Sequence, residues 1–308
     1  MSRIYEALLK IRDQKATAAS GEEAELSKSA FVEADSAGER VRRHPRFGQF
    51  LTSESGAEPV TDALALDMLR KRCAQHSWKL DQSYAVSFNK ESFDRSAEQF
   101  RSLRARLNRI RDKKYFRSLL ITSSVAGEGK TFVSLNLARA IARQHERHAL
   151  LIDADLRAPK LHVGLGAPSS PGLSEYLRGQ TDEFSIIQMS ATENLSFIPA
   201  GRPVFNPAEL LASARTKSLL ERLSPVFDWV IVDAPPVLLL SDAGLLAGIC
   251  DRTILVVGAG STSCELAQTA CQDLRDSNLL GVVLNGAEES PMGNTYGYYA
   301  GSRSGRED

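Results

Sequence analysis

Ser123-Ser124-Val125-Ala126-Gly127-Glu128-Gly129-Lys130-Thr131 follows the apolar run Leu119-Leu120-Ile121 and opens a helical pattern with Val133, Leu137 and Ile141 on one face. Strand, glycine-bearing turn, Lys-Thr and helix in that order describe a phosphate-binding loop. Gly127 and Gly129 let backbone N–H groups close around an anionic phosphate chain, and the new helix aims the positive end of its dipole at the same place. Lys130 is set to reach the β- and γ-phosphates of a nucleotide, and the Thr131 hydroxyl to hold Mg²⁺. The string departs from the usual pattern at Ser124, where a glycine five residues ahead of Gly129 is normal. The flanking strand and helix supply the context that a short string lacks.

Two further segments point to the same place. Leu150-Leu151-Ile152-Asp153-Ala154-Asp155 is a buried-strand pattern ending in two carboxylates, with Arg157 just behind, as orienter of the acidic loop or as a structural ion pair. Val230-Ile231-Val232-Asp233-Ala234-Pro235-Pro236 is another, ending in one. Both read as central parallel strands, and in a doubly wound sheet ligands bind at the carboxyl edge. A single Asp after a strand is ordinarily a turn residue or a helix cap. Three such carboxylates beside Gly-Lys-Thr make a metal–nucleotide site, for ATP and Mg²⁺.

The chain has 308 residues, 38 basic and 38 acidic, with 43% hydrophobic and 25% charged residues, which is room for one large α/β domain plus extensions. Balanced charge argues against a general nucleic-acid binder. No apolar run reaches the length of a membrane span, and the N-terminus has no signal-peptide core, so the expected location is cytoplasmic. Cys73, Cys250, Cys264 and Cys271 are scattered and read as reduced and structural. His145 and His148, near the end of a helical pattern, read as surface or last-turn residues rather than a metal pair.

Along the chain, Ile4, Leu8 and Ile11 mark a short amphipathic helix over 3–14, to dock on its own domain, a partner or a membrane surface. Residues 16–59 are poor in large apolar groups and read as a flexible linker, 62–75 as a possible short helix, and a compact domain is expected from Ser83. The expected divisions are 1–15, 16–82, 83–286 and 287–308. Strands are expected near 117–123, 149–153, 195–199, 228–233, 252–257 and 281–284, alternating with helices near 92–110, 130–144, 172–177, 207–213, 216–223, 242–246 and 264–276. That alternation implies an α/β fold of the phosphate-loop NTPase type: a doubly wound, mostly parallel sheet with helices on both faces.

After Asn285 apolar periodicity stops, and the segment reads as a mobile tail. It nevertheless holds three of the seven tyrosines, Tyr296, Tyr298 and Tyr299. Either they form an aromatic plug packed on the domain, or they are phospho-acceptors that Gly297 and Gly301 leave free to enter an active site.

Taken together, these segments resemble the bacterial tyrosine kinases, phosphate-loop autokinases that regulate capsule and exopolysaccharide synthesis. The resemblance runs from about Ser92 to Tyr299. GEGKT over 127–131 is similar to the family's Walker A segment, LLIDADLR over 150–157 to its Walker A′, and VIVDAPP over 230–236 to its Walker B. Glu98, Arg101 and Arg104 fit the Glu-x-x-Arg-x-x-Arg spacing of the family's oligomerisation helix; by themselves they would read as a solvated charged face. FIPAGRPVFNPAELLAS and APPVLLLSDA are similar to its connecting regions. The related cell-division, partition and metal-delivery ATPases usually carry an early extra lysine, where this chain has Val125. Ala126 stands where the kinases often have Pro, and Ala234 where they often have Ser or Thr; neither position must supply charge.

The resemblance implies γ-phosphoryl transfer from ATP to the tail tyrosines of a neighbouring subunit. It implies Lys130, Asp153, Asp155 and Asp233 as catalytic residues, Asp153 being the proton acceptor. Ala126, Gly127, Glu128, Gly129, Lys130, Thr131, Phe132 and Asn285 would bind the nucleotide, Asn285 at the base. Thr131, Asp155 and Asp233 would hold Mg²⁺. Glu98, Arg101 and Arg104 would build a homo-oligomeric ring, and Tyr296, Tyr298 and Tyr299 would accept phosphate. The implied partners are a membrane polysaccharide co-polymerase that sets chain length and activates the kinase, and a tyrosine phosphatase, with the kinase recruited to the inner face of the plasma membrane. The competing classes are a partition-type ATPase that positions a membrane complex without kinase activity, and a nucleotide-binding scaffold without turnover.

Overall fold

The structure, a computed structural model, describes residues 65–88, 94–275 and 277–287. The expected N-terminal helix, the 16–59 linker and Tyr296, Tyr298 and Tyr299 lie outside them. In chain order the elements are α1 Leu66–Arg72, β1 Ala74–His76, α2 Arg95–Lys113, β2 Ser118–Ser123, α3 Lys130–Ala142, β3 Ala149–Asp153, α4 Leu161–Leu165, α5 Leu173–Leu177, α6 Glu183–Ile186, β4 Gln188–Ser190, β5 Leu195–Ile198, α7 Pro207–Leu211, α8 Ala214–Leu223, β6 Trp229–Asp233, α9 Asp242–Ala247, β7 Arg252–Gly258, α10 Cys264–Asp273 and β8 Leu279–Asn285.

The strands form one sheet in the order β1-β4-β5-β3-β6-β2-β7-β8. All ladders are parallel except β4–β5, which is antiparallel. Every residue of β2, β3 and β6 is buried, which is why these strands are apolar without alternation. Because they run parallel, Ser123, Asp153 and Asp233 finish on one edge of the sheet, joined there by Gly258 and Asn285 at the ends of β7 and β8.

Helix α3 is buried from Val133 through Ala142, on all sides rather than on the one expected face. The sheet lies against it, and α2 packs on it, with Phe100 and Phe132 rings 5.7 Å apart. Its buried polar residues have partners. Asn136 accepts from Val86 N and donates to the Tyr84 and Phe132 carbonyls, and Arg139 donates to the Val86 carbonyl. Helix α2 begins at Arg95 instead of Ser92 because the Asp94 side chain accepts from Ser96 N and Ala97 N as an N-cap.

The expected domain start at Ser83 is too late. Helix α1 buries Leu69 completely, β1 joins the sheet against β4, and Trp78, Leu80 and Tyr84 pack on the core. The expected 62–75 helix ends at Arg72, and residues 65–82 are not linker. Three-residue strands such as β1 and β4 carry too few residues for periodicity, and α4 and α6, of five and four residues, span little more than one helical turn. Cys73, Cys250, Cys264 and Cys271 are free thiols. Burial pushes Cys73 up to about 11 and Cys250 up to about 12, against ordinary reactivity. Among the described residues no helix is long and apolar enough to cross a membrane.

Candidate active site

The loop between β2 and α3 turns on two left-handed glycines, Gly127 at φ 90° and Gly129 at φ 86°. At Gly129 the positive φ calls for glycine, and a Cβ would lie 2.0 Å from Asn285 Nδ2 and push that side chain off the loop. Among the described residues, the N–H groups of Ala126, Gly127, Glu128 and Gly129 have no acceptor. Free amides at the start of a 13-residue helix without an acidic first turn form an anion cradle.

Lys130 stands between two carboxylates, with Nζ 2.9 Å from Asp155 Oδ2 and 3.4 Å from Asp233 Oδ2. Thr131 Oγ1 donates to Asp233 Oδ2 at 2.8 Å, and Ser134 Oγ donates to Asp233 Oδ1 at 2.8 Å. Asp155 Oδ1 accepts from Ala158 N. Asp153 is fully buried; its oxygens accept from Leu161 N at 3.1 Å and Asp155 N at 3.3 Å. Burial and the neighbouring Asp233 raise Asp153 well above the usual carboxylate range, against Leu161 N and Lys130. Burial also raises Asp233, opposed by Lys130, Thr131 and Ser134. Burial works against the Lys130 charge, but Asp233 and Asp155 outweigh it, and the ammonium is held more firmly than usual. The donor set fits a nucleotide with its divalent cation: free amides and an ammonium for phosphate oxygens, a hydroxyl and carboxylates for a hard cation.

The structure thus brings Ala126, Gly127, Gly129, Lys130, Thr131, Asp153, Asp155 and Asp233 together. Three of the expected nucleotide contacts have other uses. The Glu128 side chain is buried and bonded to the β7 end of the sheet. The Phe132 ring packs at a tilt of 59° against Phe100 of α2. Asn285 Nδ2 donates to the Glu128 carbonyl at 2.9 Å, against the loop itself. Sequence reading missed Ser134, which lies one turn beyond Lys130 and so faces the same carboxylate, and Thr262. Arg157 makes two bonds to the buried Asp242, at 2.8 and 3.0 Å, and so forms a structural ion pair. In the expected oligomerisation set, Arg101 pairs with Glu98 at 3.0 Å, while Arg104 is partly buried and donates to the Ala140 carbonyl of α3.

The sequence family described as "AAA domain" matches residues 117–269. Tyrosine-protein kinase YwqD of Bacillus subtilis is 35% identical over 206 residues, covering 66% of this chain and 86% of the relative. The chain belongs to the tyrosine-protein kinases. Putative tyrosine-protein kinase EpsB of Ralstonia solanacearum is 37% identical over 216 residues, 69% of this chain but 28% of that longer relative. The solved kinase domain of Escherichia coli tyrosine kinase ETK superposes with a TM-score of 0.62 at 34% identity, over 64% of this chain and 78% of that one. Kinase membership decides against the positioning ATPase that the sequence left open.

Proposed function

We propose that this tyrosine kinase phosphorylates Tyr296, Tyr298 and Tyr299 of a neighbouring copy, using ATP and Mg²⁺. The observation carrying the reading is Lys130, held between Asp155 and Asp233 at the mouth of a loop of free amides. Mg·ATP, when bound, supplies the transferable phosphoryl group and a cation that offsets its charge. The amides of residues 126–129 and Lys130 hold phosphate oxygens where negative charge is greatest. Thr131, Asp155 and Asp233 hold the cation, with Ser134 keeping Asp233 in orientation. A tyrosine hydroxyl, with a pKa of about 10, is a weak nucleophile at neutral pH. Asp153 accepts its proton, and its raised proton affinity suits a base. Asn285, whose Nδ2 is bonded to the Glu128 carbonyl, would meet the base only through its Oδ1.

Glu98, Arg101 and Arg104 assemble copies into a ring that raises the local concentration of the tail. Phosphate on three closely spaced tyrosines adds repulsion that loosens the ring. In this reading the kinase works at the inner face of the plasma membrane with a polysaccharide co-polymerase as activator and a phosphatase to reset it, and so governs capsule or exopolysaccharide assembly. The test is incubation of the full chain with Mg·ATP, with and without cytosolic segments of candidate activators, and mapping of phosphotyrosine by mass spectrometry. Phosphate on the three tail tyrosines, lost in Lys130→Met, is expected. ATP hydrolysis without phosphotyrosine, with an activator bound, would overturn the reading.

A further inference from the structure

Glu128 is the one charged residue of the loop whose side chain turns away from the free amides. It lies between the left-handed Gly127 and Gly129 and is 4% exposed. Among the described residues no cation pairs with it. Its carboxylate accepts from Val125 N at 2.8 Å, from Gly258 N at 3.1 Å and from Thr262 Oγ1 at 2.5 Å. A buried carboxylate is costly unless fully hydrogen-bonded, so this arrangement is one the fold has to maintain. Val125 belongs to the same loop, whereas Gly258 ends β7 and Thr262 lies in the turn after it. That turn is itself tight: Thr262 N donates to the Gly258 carbonyl, and a Cβ at Gly258 would fall 2.3 Å from Ser261 Oγ.

A loop with two left-handed glycines has many accessible conformations, and free amides bind phosphate well only if they already point the right way. We infer that Glu128 is a positioning residue for the phosphate loop, acting through Thr262 and Gly258. One carboxylate oxygen fixes the entry of the loop at Val125; the other fastens the loop to the end of β7. Asn285 adds a third hold by donating to the Glu128 carbonyl. Residues 126–129 are thereby presented as a preformed cradle, and Glu128 touches no phosphate itself. The inference rests on the nucleotide site proposed above, and its test reads the loop with and without nucleotide.

Three variants of the full chain carry the test. In Glu128→Gln an amide NH₂ replaces one acceptor oxygen and faces an N–H or O–H donor. In nucleotide-free protein the Val125 and Gly258 amides should then exchange hydrogen at least about tenfold faster. A fluorescent ATP analogue with Mg²⁺ should bind about tenfold more weakly, the scale of one lost charge-assisted bond. Thr262→Val should weaken binding by about threefold or more, Thr262→Ser should restore it, and Glu128→Gln with Thr262→Val should be no worse than Glu128→Gln alone. Unchanged exchange and binding in Glu128→Gln, or additive losses in the pair, would overturn the inference. If Glu128→Gln does not fold, Thr262→Val against Thr262→Ser decides, and equal binding by those two overturns it. A parent protein that binds ATP but makes no phosphotyrosine would sink the kinase mechanism while leaving these results to stand.

Discussion

Asp153 and Asp233 are register partners across β3 and β6, and neither is exposed. Two carboxylates at the ends of adjacent buried strands repel, and Lys130 is bonded to only one of them. The site therefore holds unfavourable electrostatics that the rest of the fold offsets, as catalytic sites commonly do.

Asp153→Asn should stabilise the protein and abolish its kinase activity. A carboxylate raised in the folded state binds more protons there than in the unfolded chain, so stability falls as pH rises from the ordinary aspartate value of 3.8 through the raised folded value. Asparagine removes that penalty and keeps an oxygen to accept from Leu161 N. Thermal melts should rise by about 2–4 °C or more at pH 8, for a gain near 1 kcal/mol, and by less at pH 5. Phosphotyrosine formation should fall by about 100-fold or more. A lower melting temperature at pH 8 would refute the electrostatic account.

Lys130→Met should cost stability as well as activity. It leaves Asp155 and Asp233 without their shared cation in a buried setting. Breaking such a pair costs up to several kcal/mol, reduced here because the buried Asp233, already raised, can take up a proton, so urea melts at pH 8 should show a loss of about 2 kcal/mol. The loss should shrink at pH 5, where protonation relieves the repulsion.

Arg157→Ala should destabilise the region where the loop after β3 meets α9. Asp242 is completely buried, and its two oxygens accept from Arg157 Nε and Nη2. Removing the partner strands a buried carboxylate, at about 2 kcal/mol because Arg157 itself is partly solvated. Arg157→Lys should recover less than half, since an ammonium cannot reproduce the two-pronged contact. Equal melting of the Lys variant and the parent would count against the geometry.

Arg101 and Arg104 should separate in an assembly experiment. Arg101 and its partner Glu98 are on the solvent side of α2, so Arg101→Ala should leave the melting temperature within about 1 °C and lower the sedimentation coefficient if the ring forms through this helix. Arg104 donates to the Ala140 carbonyl, so Arg104→Ala should lower the melting temperature by about 2–4 °C, the scale of one lost partly buried bond. A change in assembly in Arg104→Ala alone is therefore not evidence for a ring contact.

The central strands, the glycine-bearing loop and the edge on which Lys130, Thr131, Asp153, Asp155 and Asp233 meet were all legible in the amino-acid order. Those features are local: uninterrupted apolar runs report burial on both faces, and parallel strands deliver their carboxyl ends to one side. What each side chain near that edge does follows from packing in three dimensions. Glu128 and Asn285 stand in the motif set, but Glu128 is bonded to Gly258, 130 residues away, and Asn285 to Glu128, 157 residues away. Ser134 and Thr262 gained roles from the same distant pairings. The start of the fold was equally hidden. Strand β1 is too short to show a period, and Leu69, Trp78 and Tyr84 belong to the core only because β4 and the rest of the core lie beside them. Periodicity reads what a segment buries, whereas hydrogen-bond partners far along the chain follow only from how the sheet is wound.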